Sequence, residues 1–507
     1  MEQWRQWFID QLQKDYTRRE LLYKLPIATA ILAGTVALAP NLIEKFMRSS
    51  ISPDDRFSRL AYADVSRLDK KIQKENQNLG TDDWKVKRPG RSQLQGYASD
   101  TSVQAGQPIT FYVHSEQPYR MEFYRMGYYQ GRGARLMTEV TGLSAKKQSL
   151  KGNILHQGAD WEPTYTFTVP SHWLSGVYMC KCIDERGREC YIPVVVRDKQ
   201  PIADFAVLIS TNTYHAYNNW GGKSLYTYNS TGGVQASHVS FNRPFRDFYG
   251  AGLFFQFEYN LIRWLEKEGY GVTYLSDTDI HRGILDQSQI KTLIIAGHNE
   301  YWSMEMRKNI EEWSKLRGNL AVFSANVAYW QVRLEPDQQD RANRIMVSYK
   351  QFANQKDPYR LKNPSLVTTR WRDQPVNMPE ENVLGSMYSG IPEAPVPMVV
   401  TQPDHWLYEG TGLRKGDQIP EVIGGEVDTY NGKIPGVEVI ARSPVILYGE
   451  PRVADVIWYQ KPTGGKVFSV GTFYWNWFLD STHYQNRATE NPAIQQITRN
   501  ALRKLIT

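Results

Sequence analysis

Residues 297–305 read Gly-His-Asn-Glu-Tyr-Trp-Ser-Met-Glu and follow directly on the apolar run Leu293-Ile-Ile-Ala. A buried strand that ends in a polar loop and then a helix sets His298, Asn299, Glu300 and Tyr301 at the carboxyl end of a sheet strand, where open α/β sheets carry their chemistry. The segments 211–222, 324–333 and 471–480 have the same character. They set Tyr214, Tyr217, Trp220, Tyr329, Trp330, Trp475 and Trp477 beside His215, Asn218, Asn219, Asn326, Arg333 and Asn476. Loops after parallel strands gather on one edge of a sheet, so segments far apart in sequence can wall a single cleft. Rings beside amides are equally what satisfied, packed loops contain.

Several chemistries lack their residues. Nucleophilic hydrolysis needs a serine or cysteine beside a base; Ser303 and Ser324 are the candidates these loops offer, and no cysteine lies beyond residue 190. Gly-x-Ser-x-Gly, Walker and Gly-x-Gly-x-x-Gly patterns do not occur in the sequence, which leaves ATPases and nicotinamide enzymes without support. Glu300 and Glu305 would form a local carboxylate pair for glycoside hydrolysis, but their spacing puts them on different faces of a helix.

The elements that must position these residues fall into blocks. Residues 1–50 read as a targeting segment and 51–91 as a polar, helical or irregular linker. Short alternating strands over 92–198, such as Thr164-Tyr-Thr-Phe-Thr-Val, describe a β-sandwich. After Pro201 the strand, helix, strand spacing predicts an α/β domain over 199–507. Its sheet should be mostly parallel, and a Pro-, Asn-, Asp- and Gly-rich insertion interrupts it at about 335–430. Cys180, Cys182 and Cys190 fall in one hairpin, where a disulfide to Cys190 suits an oxidising compartment.

Composition narrows the partners. A chain of 507 residues, 41% hydrophobic and 13% aromatic, can bury sizeable cores. Its formal charge of +7 is spread among nearly as many acids with no basic run, which argues against nucleic acid. Thr17-Arg-Arg-Glu-Leu-Leu-Tyr-Lys ahead of the mildly apolar run from Leu25 to Ala39 looks like a twin-arginine export signal. Ala37-Leu-Ala suits cleavage while Pro40 obstructs it, so a cleaved signal and a retained membrane anchor both stand open, each facing the periplasm. Twin-arginine export carries folded proteins, often with an inserted cofactor, and so raises the expectation of a metal.

The strings Ser210-Thr-Asn-Thr-Tyr-His-Ala-Tyr-Asn-Asn-Trp-Gly-Gly-Lys-Ser-Leu-Tyr, Ala296-Gly-His-Asn-Glu-Tyr-Trp-Ser and Phe323-Ser-Ala-Asn-Val-Ala-Tyr-Trp-Gln-Val-Arg resemble the C-terminal domain of the N,N-dimethylformamidase large subunit. Glu122-Phe-Tyr-Arg-Met-Gly-Tyr-Tyr-Gln-Gly-Arg-Gly resembles the β-rich domain that precedes it. The resemblance implies a glutamine amidotransferase-like catalytic fold and a mononuclear ferric iron, Fe(III), held by two tyrosinates and a glutamate. Carried over by motif, the ligands are Tyr178, Tyr217 and Glu300, with Tyr214 and Tyr301 as alternatives. Three anionic oxygens suit a trivalent Lewis acid. His298, Asn219 or Asn218, and Glu305 are then the candidates for moving protons or steadying a tetrahedral intermediate, and the tryptophans for excluding water. The implied substrate is a small or N-substituted amide, hydrolysed at its C–N bond. The family pattern implies His-Asp-Glu at 298–300, and this chain has Asn299. A homo-oligomer is compatible with the family, whose formamidases add a small partner subunit. The rival reading is a non-catalytic binding or structural protein of the cell envelope on the same scaffold.

Overall fold

The computed structural model describes residues 70–148, 158–199, 203–285, 290–316, 318–481 and 490–507. The targeting segment and the linker up to residue 69 lie outside the described residues. So does any test of a membrane anchor there; no helix among the described residues is long and apolar enough to cross a membrane.

The sheet that carries the loops has seven strands. In spatial order these are Val272–Ser276, Ala203–Ile209, Ile290–Ile295, Asn319–Val322, Lys466–Ser469, Glu450–Gln460 and Val437–Leu447. Pairing is parallel through the first five and antiparallel through the last two. The central strands are apolar runs because both of their faces are covered. Phe205, Val207, Ile209, Ile294 and Ala321 face one core, while Ala206, Leu208, Leu293, Ile295, Leu320 and Val322 face the other. Each buried aliphatic side chain contributes about 2 kcal/mol, so a one-residue slip that exchanged the faces would be costly. Helix Pro492–Ile506 covers one face and starts cleanly: Pro492 sits at its first turn and the Asn491 side chain accepts from the N–H groups of Ala493 and Ile494 at 3.0 and 3.1 Å.

Most other sheets are antiparallel, so the molecule as a whole is mixed α/β and β-rich. The strands of residues 94–143 and 165–197 form a three-stranded and a five-stranded sheet that share one core. Strand Gly176–Asp184 is buried along its full length because its two faces serve different cores. Tyr178, Cys180 and Cys182 point between the two sheets, and Val177 and Met179 point at the α/β body. Arg125 Nη2 meets Glu266 Oε1 at 2.7 Å across the same seam, with both side chains fully buried. All three cysteines are buried free thiols, so the pairing that the sequence left open is not made here, although Cys182 lies in register opposite Cys190. The region expected as an insertion supplies short strands, among them Ile345–Val347 and Val427–Thr429.

Candidate active site

The strand Ile290–Ile295 delivers its loop as its sequence demands. Gly297 has no room for a side chain, since a Cβ there would lie 2.2 Å from Glu258 Oε1. His298 and Glu300 then turn toward the Thr211–Tyr217 helix, and Asn299 turns away from them. The Glu300 N–H donates to Thr213 Oγ1 at 3.1 Å, and its carbonyl accepts from the N–H groups of Tyr329 and Trp330, both at 2.9 Å. Asn476, from the 471–480 segment, ties the strand ends together: its Nδ2 donates to the carbonyls of Phe257, Ala296 and Phe323 at 3.2, 2.6 and 3.0 Å. The four loops therefore meet at one edge of the sheet.

Glu300 is the centre of the cluster. Its Oε2 accepts from Tyr217 Oη at 3.0 Å and Tyr226 Oη at 2.7 Å, and its Oε1 accepts from Trp330 Nε1 at 3.0 Å. Tyr226 in turn accepts from Tyr301 Oη at 2.6 Å, and Tyr301 from Lys350 Nζ at 3.0 Å. That Nζ lies 3.3 Å from the Tyr226 ring centroid and 4.9 Å from that of Trp330. On the other side His298 Nε2 stands 3.3 Å from Glu300 Oε2 and 3.2 Å from Glu426 Oε2. Asn326 Nδ2 donates to Glu426 Oε2 at 2.6 Å and lies 3.4 Å from His298 Nε2. Asn326 takes a left-handed backbone, φ 52°, and its N–H donates to Asp428 Oδ1 at 2.9 Å. Burial pushes the Asp428 carboxyl up to about 7. Phe257, Phe473 and Tyr217 ring the imidazole, with centroids 5.7, 4.5 and 5.6 Å away. Glu300, His298, Asn326 and Glu426 are buried, whereas Tyr217, Tyr226 and Phe473 are half-buried and form the outward side.

Of the residues singled out from sequence, Tyr217, Glu300 and His298 come together. Tyr178 does not join them. The strand's alternation turns it into the sandwich, where its hydroxyl donates to the Leu174 carbonyl at 2.8 Å and its ring stacks on Trp173 at 4.8 Å. Tyr226 stands where a second phenol was expected. Of the alternatives, Tyr301 reaches the cluster through Tyr226, and buried Tyr214 packs against Phe245. Asn219 holds its own loop by donating to the Asn229 carbonyl at 2.8 Å, and Asn218 does so through the Pro244 carbonyl at 2.9 Å. Glu305 is half-exposed on the first turn of the Met304–Lys315 helix, 3.6 Å from His281 Nδ1. Ser303 caps that helix, accepting from the Met306 N–H at 3.1 Å, and Ser324 donates to the Ala325 carbonyl at 3.1 Å. Among the tryptophans Trp330 touches Glu300; Trp302 donates to Asn299 Oδ1, and Trp475 to Thr498 Oγ1 at 3.0 Å.

Asn299 belongs to a second layer. Its Nδ2 donates to Asp277 Oδ1 at 2.7 Å, and the other oxygen of Asp277 accepts from the Asn212 N–H at 2.8 Å. The strand-end loop is thereby tied to the start of the helix that carries Tyr217. Sequence reasoning missed Tyr226, Lys350 and Glu426. Glu426 follows a glycine pair inside the supposed insertion, and those glycines let Tyr474 close over the backbone: a Cβ on Gly424 would lie 2.3 Å from its ring.

The fold and the site together define an α/β protein with a buried cluster of carboxylate, phenol and imidazole groups at the carboxyl ends of parallel strands. Residues 120–488 match the family described as N,N-dimethylformamidase beta subunit-like, C-terminal, and the chain belongs to that family. A search of curated proteins found no match. Among solved structures, one concerning the bacterial superantigen toxic shock syndrome toxin-1 is 15% identical, covering 21% of this chain and 98% of that one, with a TM-score of 0.15. A fungal alcohol oxidase of the AA5 family in complex with copper is 23% identical over 22% of this chain and 21% of its own, also with a TM-score of 0.15. Likeness at that level carries no argument for this chain.

Proposed function

We propose that this chain is a metal-dependent amide hydrolase that cleaves the C–N bond of a small amide. The observation that supports the reading is the convergence of Tyr217 and Tyr226 on one oxygen of Glu300, beside the buried His298–Glu426 pair. The donor set fits ferric iron: a carboxylate and two phenols within 3.0 Å of one of its oxygens offer hard oxygen ligands of the right total charge. Glu300, Tyr217 and Tyr226 would hold the ion, which when bound supplies a Lewis acid.

The chain's own groups account for proton handling. His298 Nε2 sits between Glu300 and Glu426, so it can take a proton from water and pass it on, with the Glu426 carboxylate stabilising the imidazolium. Asn326 fixes Glu426 in place, and Phe257 and Phe473 keep bulk water from the imidazole. The five adjacent parallel strands support the glutamine amidotransferase-like reading of this domain, and the Arg18-Arg19 segment supports an exported or periplasm-facing location.

The test is iron content together with the visible spectrum after iron reconstitution. About one iron per chain with a phenolate charge-transfer band is expected, with the band lost in Tyr217→Phe and in Tyr226→Phe and kept in Tyr178→Phe. A colourless, metal-free protein that hydrolyses no amide would overturn the proposal and leave a binding or structural role.

A further inference from the structure

The helix Thr211–Tyr217 ends in carbonyls that its own N–H groups cannot reach, and the chain that follows turns back to satisfy them. The Ala216 carbonyl accepts from the Leu225 N–H at 3.0 Å, and the Tyr217 carbonyl from Asn229 Nδ2 at 2.9 Å. Arg243 holds the rest of the turn. Its Nε donates to the Ser240 carbonyl at 2.9 Å, its Nη1 to the carbonyls of Trp220 and Lys223 at 3.0 and 3.2 Å, and its Nη2 to those of His215 and Asn218 at 3.4 and 3.3 Å. All five N–H donors of one guanidinium are thereby engaged by backbone. The side chain is fully buried, and among the described residues no carboxylate lies within ion-pair reach of it. Burial pulls it down to about 10, so it remains a cation at neutral pH, offset only by carbonyl dipoles.

We infer that Arg243 is the positioning residue of the two phenols: the chain from 215 to 223 is wound round its guanidinium, and this turn returns Tyr226 to the side of Tyr217. The two rings lie 4.3 Å apart, and their hydroxyls meet on Glu300 Oε2 at 3.0 and 2.7 Å. Local pattern gives two tyrosines separated by irregular chain no reason to meet, and the rigid fork of the guanidinium supplies one. Lysine would bring the same charge to a single point and could not reach carbonyls on both sides of the turn. The inference rests on the amide-hydrolase reading for what the phenols do and deepens it by naming what sets their separation. Their placement itself can be read without metal.

The experiment places fluorotyrosine singly at positions 217, 226 and 178 of the full chain. Fluorine NMR then compares the native chain with Arg243→Lys, which keeps the charge without the fork, and with Arg243→Gln. In the metal-free protein the lines at 217 and 226 should shift or split in both variants, while the line at 178, inside the sandwich, stays in place. After iron reconstitution both variants should bind iron about tenfold more weakly or worse, with the phenolate band displaced. Tyr226→Phe, which lowers the iron affinity of the native chain, should add little in the Arg243→Lys background, because both changes take the same phenol from the site. Unmoved lines at 217 and 226, a line at 178 that moves with them, undiminished iron affinity, or two variants that do not fold would each overturn the inference. Arg243 would then serve the fold alone, and the hydrolase reading would stand. If the native chain takes up no iron, the hydrolase reading fails instead, and the metal-free spectra decide the placement by themselves.

Discussion

Asn299→Asp restores the residue that the family pattern implies and gives the sharpest test of how the strand-end loop is held. In the native chain Asn299 Nδ2 donates to Asp277 Oδ1 at 2.7 Å, and both residues are fully buried. The substitution turns that donor into a second carboxylate oxygen at the same distance. A hydrogen bond to a charged group contributes about 1.5–3 kcal/mol, and two buried carboxylates in contact cannot both ionise, so one must keep its proton. The cost near neutral pH should be about 3 kcal/mol or more. Its pH dependence follows from Asp277, whose carboxyl burial already pushes up from 3.8 to about 7. A carboxyl raised in the folded state contributes stability that is complete below its unfolded pKa and is lost as pH climbs through the folded value. The variant should therefore lie close to the native chain near pH 4 and fall away from it up to pH 8. Urea denaturation at several pH values measures this, and Asp277→Asn combined with Asn299→Asp should recover most of the loss by exchanging donor and acceptor. A variant equally stable at pH 8, or destabilised by the same amount at pH 4 and pH 8, would refute the reasoning.

Gly297→Ala places a Cβ 2.2 Å from Glu258 Oε1 and should cost about 2–3 kcal/mol by denaturant titration while displacing the loop that carries Glu300. Glu258, which burial pushes up to about 8, adds to the same trend as Asp277, so the native chain should lose stability between about pH 4 and 8; Glu258→Gln should flatten that profile. Arg125→Ala leaves Glu266 buried and unpaired and should cost about 3–5 kcal/mol, whereas Arg125→Met with Glu266→Met should recover much of it. Tyr178→Phe removes one hydrogen bond, to the Leu174 carbonyl, and should cost about 1 kcal/mol without changing iron uptake.

What was legible in the sequence was the part governed by local pattern. An apolar run buried on both faces, a glycine, a polar triplet and a helix cap at Ser303 fix the strand-loop-helix unit around Glu300, and the same grammar locates the loops that bring Tyr217, Asn326 and Asn476. Tyr178, carried over from the family motif, shows where a motif without strand pattern stops. A strand buried along its whole length between two cores gives no alternation from which to tell which core a tyrosine faces, and period two then puts Tyr178 with Cys180 and Cys182 instead of with the α/β body. Glu305 stands apart for the complementary reason: the second residue of the Met304–Lys315 helix already turns toward solvent and His281. Tyr226 and Asn219 both lie in irregular chain after the Thr211–Tyr217 helix, where no periodicity says which side chain turns inward.

The segment read as an insertion bears on the chemistry most of all. Glu426, Asp428 and Lys350 all come from it, and each corrects something that the strand-end loops cannot supply alone. Glu300 brings a carboxyl group into a site that those loops fill with phenols, amides and one imidazole. Lys350, itself held at φ 55°, reaches Tyr301 and lies over the Tyr226 ring, so a cation stands behind the hydroxyls that bond to Glu300. Glu426 gives His298 a second acid, and Asp428 holds the strained Asn326 backbone whose side chain in turn orients Glu426. The sheet edge therefore presents Glu300, His298 and the phenols, and the segment from 335 to 430 places charged side chains around them. A site divided in this way ties its electrostatics to a stretch of short strands and turns, which explains why strand-end loops and family motifs pointed to Glu300, Tyr217 and His298 and passed over the acids and the lysine that surround them.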